Sequence, residues 1–142
     1  MIVSWNWLKQ YVLLDMPHEE LERRLMMAGL NHEGTEEVEG DLAIDFEVTS
    51  NRPDCLGHLG IAREVAVLFD RPLRLPAAEP KQGSAAVEKL VKVRIDCPDL
   101  CYRYSARVVR GVKVAPSPRW MARRLEAVGV TEIGRASCRE RV

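Results

Sequence analysis

The chain has 142 residues, of which 46% are hydrophobic and 30% are charged, and its 21 basic and 21 acidic side chains balance. This length suits one ordinary domain or two small ones, and the composition argues against collagen-like, disulfide-scaffold and largely disordered proteins. The longest apolar stretch, residues 25–30, is far shorter than the roughly 20 residues that span a bilayer. The N-terminus also lacks the pattern of a secretory signal. We therefore expect a soluble, cytoplasmic chain.

The charges are distributed unevenly. Residues 1–50 carry three basic and eleven acidic side chains, whereas residues 51–142 carry eighteen basic and ten acidic ones. A basic region can bind an anionic partner such as nucleic acid, but two oppositely charged parts of one fold can also attract each other. On a strand, Tyr102 and Tyr104 would face away from Arg103 and Arg107, which favours dispersed surface charge over a base-stacking site.

Two helices are predicted near the N-terminus. The first covers residues 4–13, with Ser4 as its N-cap. The second covers residues 17–28 and ends at Gly29, a residue that readily adopts the left-handed conformation of a helix stop. Both segments place apolar residues at helical spacing on one face, so we expect both helices to pack against a core.

A β-hairpin and a third helix are predicted next. Residues 30–39 and 42–48 form two strands joined by Gly40 and Asp41, and the second strand alternates apolar and polar residues. The third helix covers residues 56–70. These elements predict an α+β fold in which three helices and a β-hairpin form one domain over residues 1–76.

The second half is predicted to be a separate unit. Residues 77–90, rich in proline, glycine and alanine, form a linker. Beyond it, the segments 91–95 and 104–114 alternate as strands do, and Ser117 is the predicted N-cap of a helix that ends at Gly129.

No catalytic constellation is recognisable. His18, His32 and His58 are expected at the surface or at helix ends rather than as general bases. The spacing of Cys97 and Cys101 could be combined with that of Cys55 and His58 into a zinc site, but neither pair has the close spacing typical of structural zinc. We therefore expect ordinary thiols and no bound metal or cofactor in this segment.

Several long stretches, in order, resemble the N-terminal portion of the bacterial phenylalanine–tRNA ligase beta subunit. The most specific is residues 47–56, EVTSNRPDCL. The similarity as a whole is carried by residues 3–12, 27–30, 47–56, 58–66, 102–112 and 116–121.

The resemblance implies a role in ATP- and magnesium-dependent attachment of phenylalanine to tRNA(Phe), with an alpha subunit in an α2β2 heterotetramer. In that family the synthetic active site lies on the alpha subunit, so the resemblance transfers no catalytic, cofactor-binding or metal-binding residue to this chain. The resemblance also implies a winged-helix-like arrangement for residues 1–76, with residues 91–131 as the start of a truncated editing-type domain. The segment's own role would be structural.

The sequence departs from that family in two places. Only about twenty residues, 31–50, lie where most bacterial relatives carry an OB-fold tRNA-binding insert, which is too few for a five-stranded barrel, so direct tRNA contact by this segment is doubtful. Residues 132–142 are similar to a translated sequencing-library adapter, and we expect this tail to be non-native.

The structural or interface candidates are the four residues of one turn: Asn51, Arg52, Pro53 and Asp54. We expect Arg52 to pair across an interface, or within a purely local turn, and Asp54 to cap the third helix. The alternative function is a free-standing winged-helix-like module that binds nucleic acid or protein.

Overall fold

The computed structural model describes residues 1–133, where four α-helices accompany a three-stranded antiparallel sheet in the order β1–β3–β2. The mixed α+β class is therefore confirmed. The elements are β1 (Ile2–Ser4), α1 (Trp5–Leu8), α2 (His18–Met27), β2 (Asn31–Val38), β3 (Asp41–Glu47), α3 (His58–Leu68) and α4 (Arg119–Ala127), with short 3-10 turns at Pro53–Cys55 and Val87–Lys89.

Strand β3 forms the centre of the sheet because it has a neighbour on each side. Ile44 and Phe46, two residues apart, both point into the core and are fully buried. They belong to one cluster of buried side chains from β1, β3, all of the first three helices and the connections between them: Val3, Leu8, Val12, Leu21, Leu25, Leu30, Ile44, Phe46, Cys55, Ile61, Ala62 and Val65.

The β2–β3 connection is a two-residue turn formed by Glu39 and Gly40, because Val38 pairs with Asp41. Both turn residues have positive φ, 50° and 77°, which is the type I′ geometry that matches the twist of a hairpin. The prediction of a Gly40–Asp41 turn was therefore wrong by one residue. Asp41 instead begins β3, and its carboxylate accepts a hydrogen bond from the backbone N–H of Asn6 at 2.9 Å.

Helix α1 begins as predicted but is shorter. Ser4 is its N-cap, and the Ser4 Oγ accepts a hydrogen bond from the Trp7 N–H at 3.0 Å. After Leu8 the backbone continues through tighter i→i+3 bonds, including Tyr11 N–H to the Leu8 carbonyl at 2.9 Å. This tightening still brings Val12 into the core beside Leu8.

Helix α2 is held against strand β2 by a nearly buried carboxylate. Glu22 accepts hydrogen bonds from the Thr35 hydroxyl at 2.6 Å and lies 3.0 Å from Nδ1 of His18. His32 on β2 lies 2.9 Å from the same hydroxyl. His32 therefore helps to connect the hairpin to α2, whereas His18 contacts Glu22 within the helix. Gly29 ends the helix with φ +97° as expected.

Residues 75–118 differ from the sequence prediction. No strand forms over 91–95 or 104–114, and the apolar side chains of both segments are largely exposed. The predicted strands were wrong because neither segment has a hydrogen-bonding neighbour among the described residues, and a strand without a partner leaves its backbone groups unpaired.

Helix α4 packs back onto the N-terminal sheet. Its Ala127 is buried, and Gly129 beyond its end lies beside the Ile2 side chain. Pro118 is its N-cap residue, and no side chain caps it, so the predicted Ser117 cap was wrong. No helix in residues 1–133 is long and apolar enough to cross a membrane.

Candidate functional site at the Arg52 turn

The predicted site lies between β3 and α3. We call residues 51–55 the Arg52 turn. The Arg52 N–H donates to the Thr49 carbonyl at 2.9 Å, and the Arg52 carbonyl accepts from the Cys55 N–H at 3.0 Å. Pro53 occupies the first position of the 3-10 turn, where its missing N–H costs no hydrogen bond. The backbone of the turn is thus fixed on both sides of the arginine.

The Arg52 guanidinium connects this turn to helix α3. Its Nε and Nη2 donate to the two carboxylate oxygens of Asp54 at 3.1 and 2.9 Å, and Nη2 also donates to Glu64 Oε1 at 2.8 Å. Cys55 Sγ lies 3.0 Å from the same nitrogen. Arginine is suited to this position because its planar fork binds a carboxylate with two parallel bonds.

The charges of the turn shift the pKa values of its members. Hydrogen bonding from Arg52 lowers the pKa of Asp54 to about 2, and the two carboxylates raise the pKa of Arg52. Burial, followed by the hydrogen bond to Asp54, raises the pKa of the Cys55 thiol to about 11. At neutral pH the site therefore contains one cation, ionised Asp54 and a protonated, unreactive thiol.

Gly60 allows α3 to approach the turn closely. A Cβ atom at this position would lie 1.8 Å from the backbone oxygen of Asp54 and 2.8 Å from its carbonyl carbon. These are backbone atoms, so the clash could not be relieved by moving a flexible side chain. Only glycine permits this contact between the first turn of α3 and the Arg52 turn.

Asp54 does not cap α3. The N-cap is Gly57, and no side chain makes a capping hydrogen bond there. The Asp54 carboxylate is instead engaged by Arg52 and by the Cys55 thiol at 3.3 Å. The predicted cap was wrong because the 3-10 turn and Gly57 separate Asp54 from the start of the helix.

The turn has the donor atoms of a cation site, but its own arginine fills the position. Oxygen atoms of Asp54 and Glu64 and the sulfur of Cys55 all lie within 4.8 Å of one another. One nitrogen of Arg52 lies within 3.0 Å of an atom from each of the three. The guanidinium therefore supplies the positive charge that a metal ion would bring.

His58, at the start of α3, is a structural residue and is buried, so the expectation of a surface or capping histidine was wrong. Its Nε2 accepts a hydrogen bond from the Ser4 N–H at 2.9 Å, and its ring stacks on Trp7 with centroids 4.2 Å apart. Arg124 from α4 lies over the Trp7 ring at 5.4 Å and over Trp120 at 4.9 Å. Burial is the main cause that lowers the pKa of His58 to about 4, so the ring is neutral at pH 7.

The structure does not bring together the four residues whose spacing was considered for a zinc site: Cys55, His58, Cys97 and Cys101. Cys55 groups with Asp54 and Glu64, the one set of three or more donor residues found among residues 1–133, whereas Cys97 and Cys101 line a separate cavity. His58 Nε2 is already occupied by the backbone N–H of Ser4.

Comparison with curated proteins finds similar beta subunits. The chain is 52% identical over 130 residues, 92% of its length, to the "Phenylalanine--tRNA ligase beta subunit" of Rhodopirellula baltica. The chain is homologous to phenylalanine–tRNA ligase beta subunits. Proteins of the same name from Anaeromyxobacter dehalogenans and Bdellovibrio bacteriovorus are 53% and 43% identical over 93 residues, 66% of the chain.

These relatives are much longer than the chain. It spans 19% of the Rhodopirellula baltica beta subunit and 12% and 11% of the other two. No protein-family model and no solved structure matches. The relatives do not favour the alternative of a free-standing binding module.

Two positions that shape the Arg52 turn were missed in the sequence interpretation. Glu64 pairs with Arg52 from twelve residues away, and Gly60 permits the close approach of α3. A glycine inside an otherwise apolar helical pattern is a recognisable sign of close backbone contact, so Gly60 could have been suspected. Glu64 is the acidic residue of α3, but its pairing with Arg52 depends on how the helix packs against the turn, which no local pattern in the sequence specifies.

Proposed function

We propose that this chain is the N-terminal part of a phenylalanine–tRNA ligase beta subunit and that its own role is structural. The observation that carries the proposal is the 52% identity over 92% of the chain to the Rhodopirellula baltica beta subunit, of which the chain spans 19%. The titratable groups of the Arg52 turn support a structural role, because Arg52, Asp54 and Glu64 are bonded to one another.

The complete protein would act in the cytoplasm with an alpha subunit in an α2β2 heterotetramer. It would use ATP and magnesium to attach phenylalanine to tRNA(Phe). The chain itself would supply no reacting group to that ligation and would not provide the tRNA contact of an OB-fold insert, since residues 31–47 form only a two-stranded hairpin. Its contribution would be to hold neighbouring domains in position.

The finer architecture is part of this proposal. Three helices and a β-hairpin around one core are compatible with a winged-helix-like domain over residues 1–76. Residues 91–131 would open the editing-type domain. The exposed alternating segments 91–95 and 104–114 support this, because their apolar side chains would be buried if further strands paired with them.

The Arg52 turn would be the contact of this scaffold with a neighbouring part of the assembly. Asn51 and Pro53 are exposed, and Leu56 beside them exposes 64% of its surface. Arg52 fixes the backbone beneath them, so the turn presents a preorganised surface. Preorganisation lowers the entropy cost of association.

A chimeric enzyme tests the function. The matching 130 residues of the Rhodopirellula baltica beta subunit would be replaced by those of this chain, and the chimera would be produced with its alpha subunit. We expect an assembled enzyme that charges tRNA(Phe) with phenylalanine. Assembly without charging, or failure to assemble while the chain alone is folded, would contradict the proposal.

Two variants of the chimera distinguish a contact made by the turn from an effect on the fold. Asn51→Trp adds bulk to the exposed turn, and Glu79→Trp adds the same bulk to the exposed linker as a matched control. We expect the first to weaken assembly with equal thermal stability of the isolated chain, and the second to leave assembly unchanged. Equal assembly of both would remove the turn from the interface.

A further inference from the structure

Cys97 and Cys101 lie one helical turn apart in a segment to which the proposed function assigns no chemistry. The carbonyl of Cys97 accepts hydrogen bonds from the N–H groups of Leu100 at 3.1 Å and Cys101 at 2.9 Å. This i→i+4 closure has the geometry of a single α-helical turn, in which the first and fifth Cα atoms are about 6 Å apart. That Cα separation falls within the range, about 4.4–6.8 Å, that a disulfide bond spans. The Cβ atoms, about 5–6 Å apart at this spacing, must approach to about 3.5–4.5 Å, so the exposed turn has to distort for the bond to close.

Both cysteines line the same cavity. Its volume is about 380 Å³, it is open to solvent, and its other walls include Val93, Ile95 and Tyr104. Cys97 is exposed and Cys101 is partly buried, with its Sγ donating to the Arg103 carbonyl at 3.7 Å. Neither is in a disulfide in this structure. A small molecule that reacts with thiols can therefore reach Cys97, and Cys101 is the neighbouring thiol.

We propose that Cys97 and Cys101 form a dithiol site whose substrate is a small soluble disulfide of the glutathione type. The Cys97 thiolate attacks one sulfur of that disulfide, which forms a mixed disulfide and releases one reduced thiol. The Cys101 thiolate then attacks the Cys97 sulfur and releases the second thiol. The two protein thiols lose two electrons and two protons, and the small disulfide gains them.

Cys55 provides an internal contrast. It is fully buried beneath the Arg52 turn, and its pKa is raised to about 11 by burial and Asp54. Since the thiolate is the attacking species, Cys55 should remain reduced under conditions that oxidise the pair. The site therefore needs both accessibility and a neighbouring second thiol, and within residues 1–133 only the 97–101 turn combines them.

The test uses the full chain carrying Cys138→Ser, because Cys138 lies outside the described residues. The protein is treated with oxidised glutathione and followed by intact mass and peptide mapping. We expect a product that has lost two hydrogens, with the bond between Cys97 and Cys101 and with Cys55 still free for alkylation after unfolding.

A single variant, compared with the parent, gives the second readout. In Cys101→Ser the mixed disulfide at Cys97 has no internal thiol to resolve it, so we expect it to persist at least ~10-fold longer than in the parent, because a neighbouring thiol acts at a high effective concentration. Persistent glutathione on both cysteines of the parent, equal lifetimes in parent and variant, or disulfide-linked dimers in place of the internal bond would each overturn the proposal.

Discussion

Residues 1–74 and residues 75–118 contain similar alternating apolar patterns but differ in what those patterns become. On β3, Ile44 and Phe46 are fully buried between β1, β2 and the helices. On the segment 91–95, Val93 exposes 51% of its surface, and no strand forms. Alternation thus specifies which face of an extended chain is apolar, whereas neighbouring strands and helices decide whether that face is buried.

The largest expected effect contrasts one aromatic residue from each region. Phe46→Ala should lower the free energy of unfolding by about 4 kcal/mol, because it removes a fully buried ring and leaves a cavity. Tyr102→Ala should change it by less than about 0.5 kcal/mol, because Tyr102 is 90% exposed. Urea unfolding followed by circular dichroism measures both. Equal losses would show that residues 75–118 contribute to the same core.

Gly60→Ala tests the close contact between α3 and the Arg52 turn. We expect a loss of at least about 3 kcal/mol, because the added Cβ would meet the backbone oxygen of Asp54 at 1.8 Å. This loss would outweigh the gain of about 1 kcal/mol that alanine normally brings to a helix interior. Gly83→Ala, in the exposed segment with open space around it, is the control. A stabilised Gly60→Ala protein would refute the contact.

His58 should make the packed region sensitive to acid. Its pKa lies at about 4 in the folded chain and near 6.5 when exposed, so the unfolded state takes up a proton first. The contribution of the neutral His58 ring to the free energy of unfolding is complete above pH 6.5. It declines by about 1.4 kcal/mol per pH unit as the pH falls towards 4, and the total loss is about 3 kcal/mol.

His58→Gln removes this titration and keeps an oxygen that can accept the Ser4 N–H. The difference in stability between the two proteins, measured by urea unfolding across that pH range, isolates His58, because His18 and His32 are present in both. A constant difference would show that the folded ring titrates normally.

The smallest effect concerns Arg52. Arg52→Lys keeps one positive charge but loses the fork that bonds Asp54 and Glu64 together, so we expect the pKa of Asp54 to rise from about 2 towards its ordinary range. Carbon-detected NMR titration of the carboxylate measures this directly. Arg71→Lys, at the separate ion pair with Asp15, is the matched control and should leave Asp54 unchanged.

The sequence was most informative where local chemistry determines structure. The Ser4 cap, the Gly29 stop and the alternation of β3 all depend on residues close in the chain, and the structure confirms them. The errors concern the exact residues of caps and turns, and contacts between distant residues. Gly57 replaced Asp54 as the helix cap, and His58 became buried because Trp7 of α1 stacks on its ring and the Ser4 N–H binds its Nε2.

The central claim is that residues 1–74 form the packed scaffold while residues 75–118 lie exposed outside it. Amide hydrogen exchange across the chain measures this most directly. We predict strong protection at Ile44, Phe46 and Val65 and exchange close to the unprotected rate over 91–95 and 104–114. Protection of those two segments at the level of β3 would contradict the account.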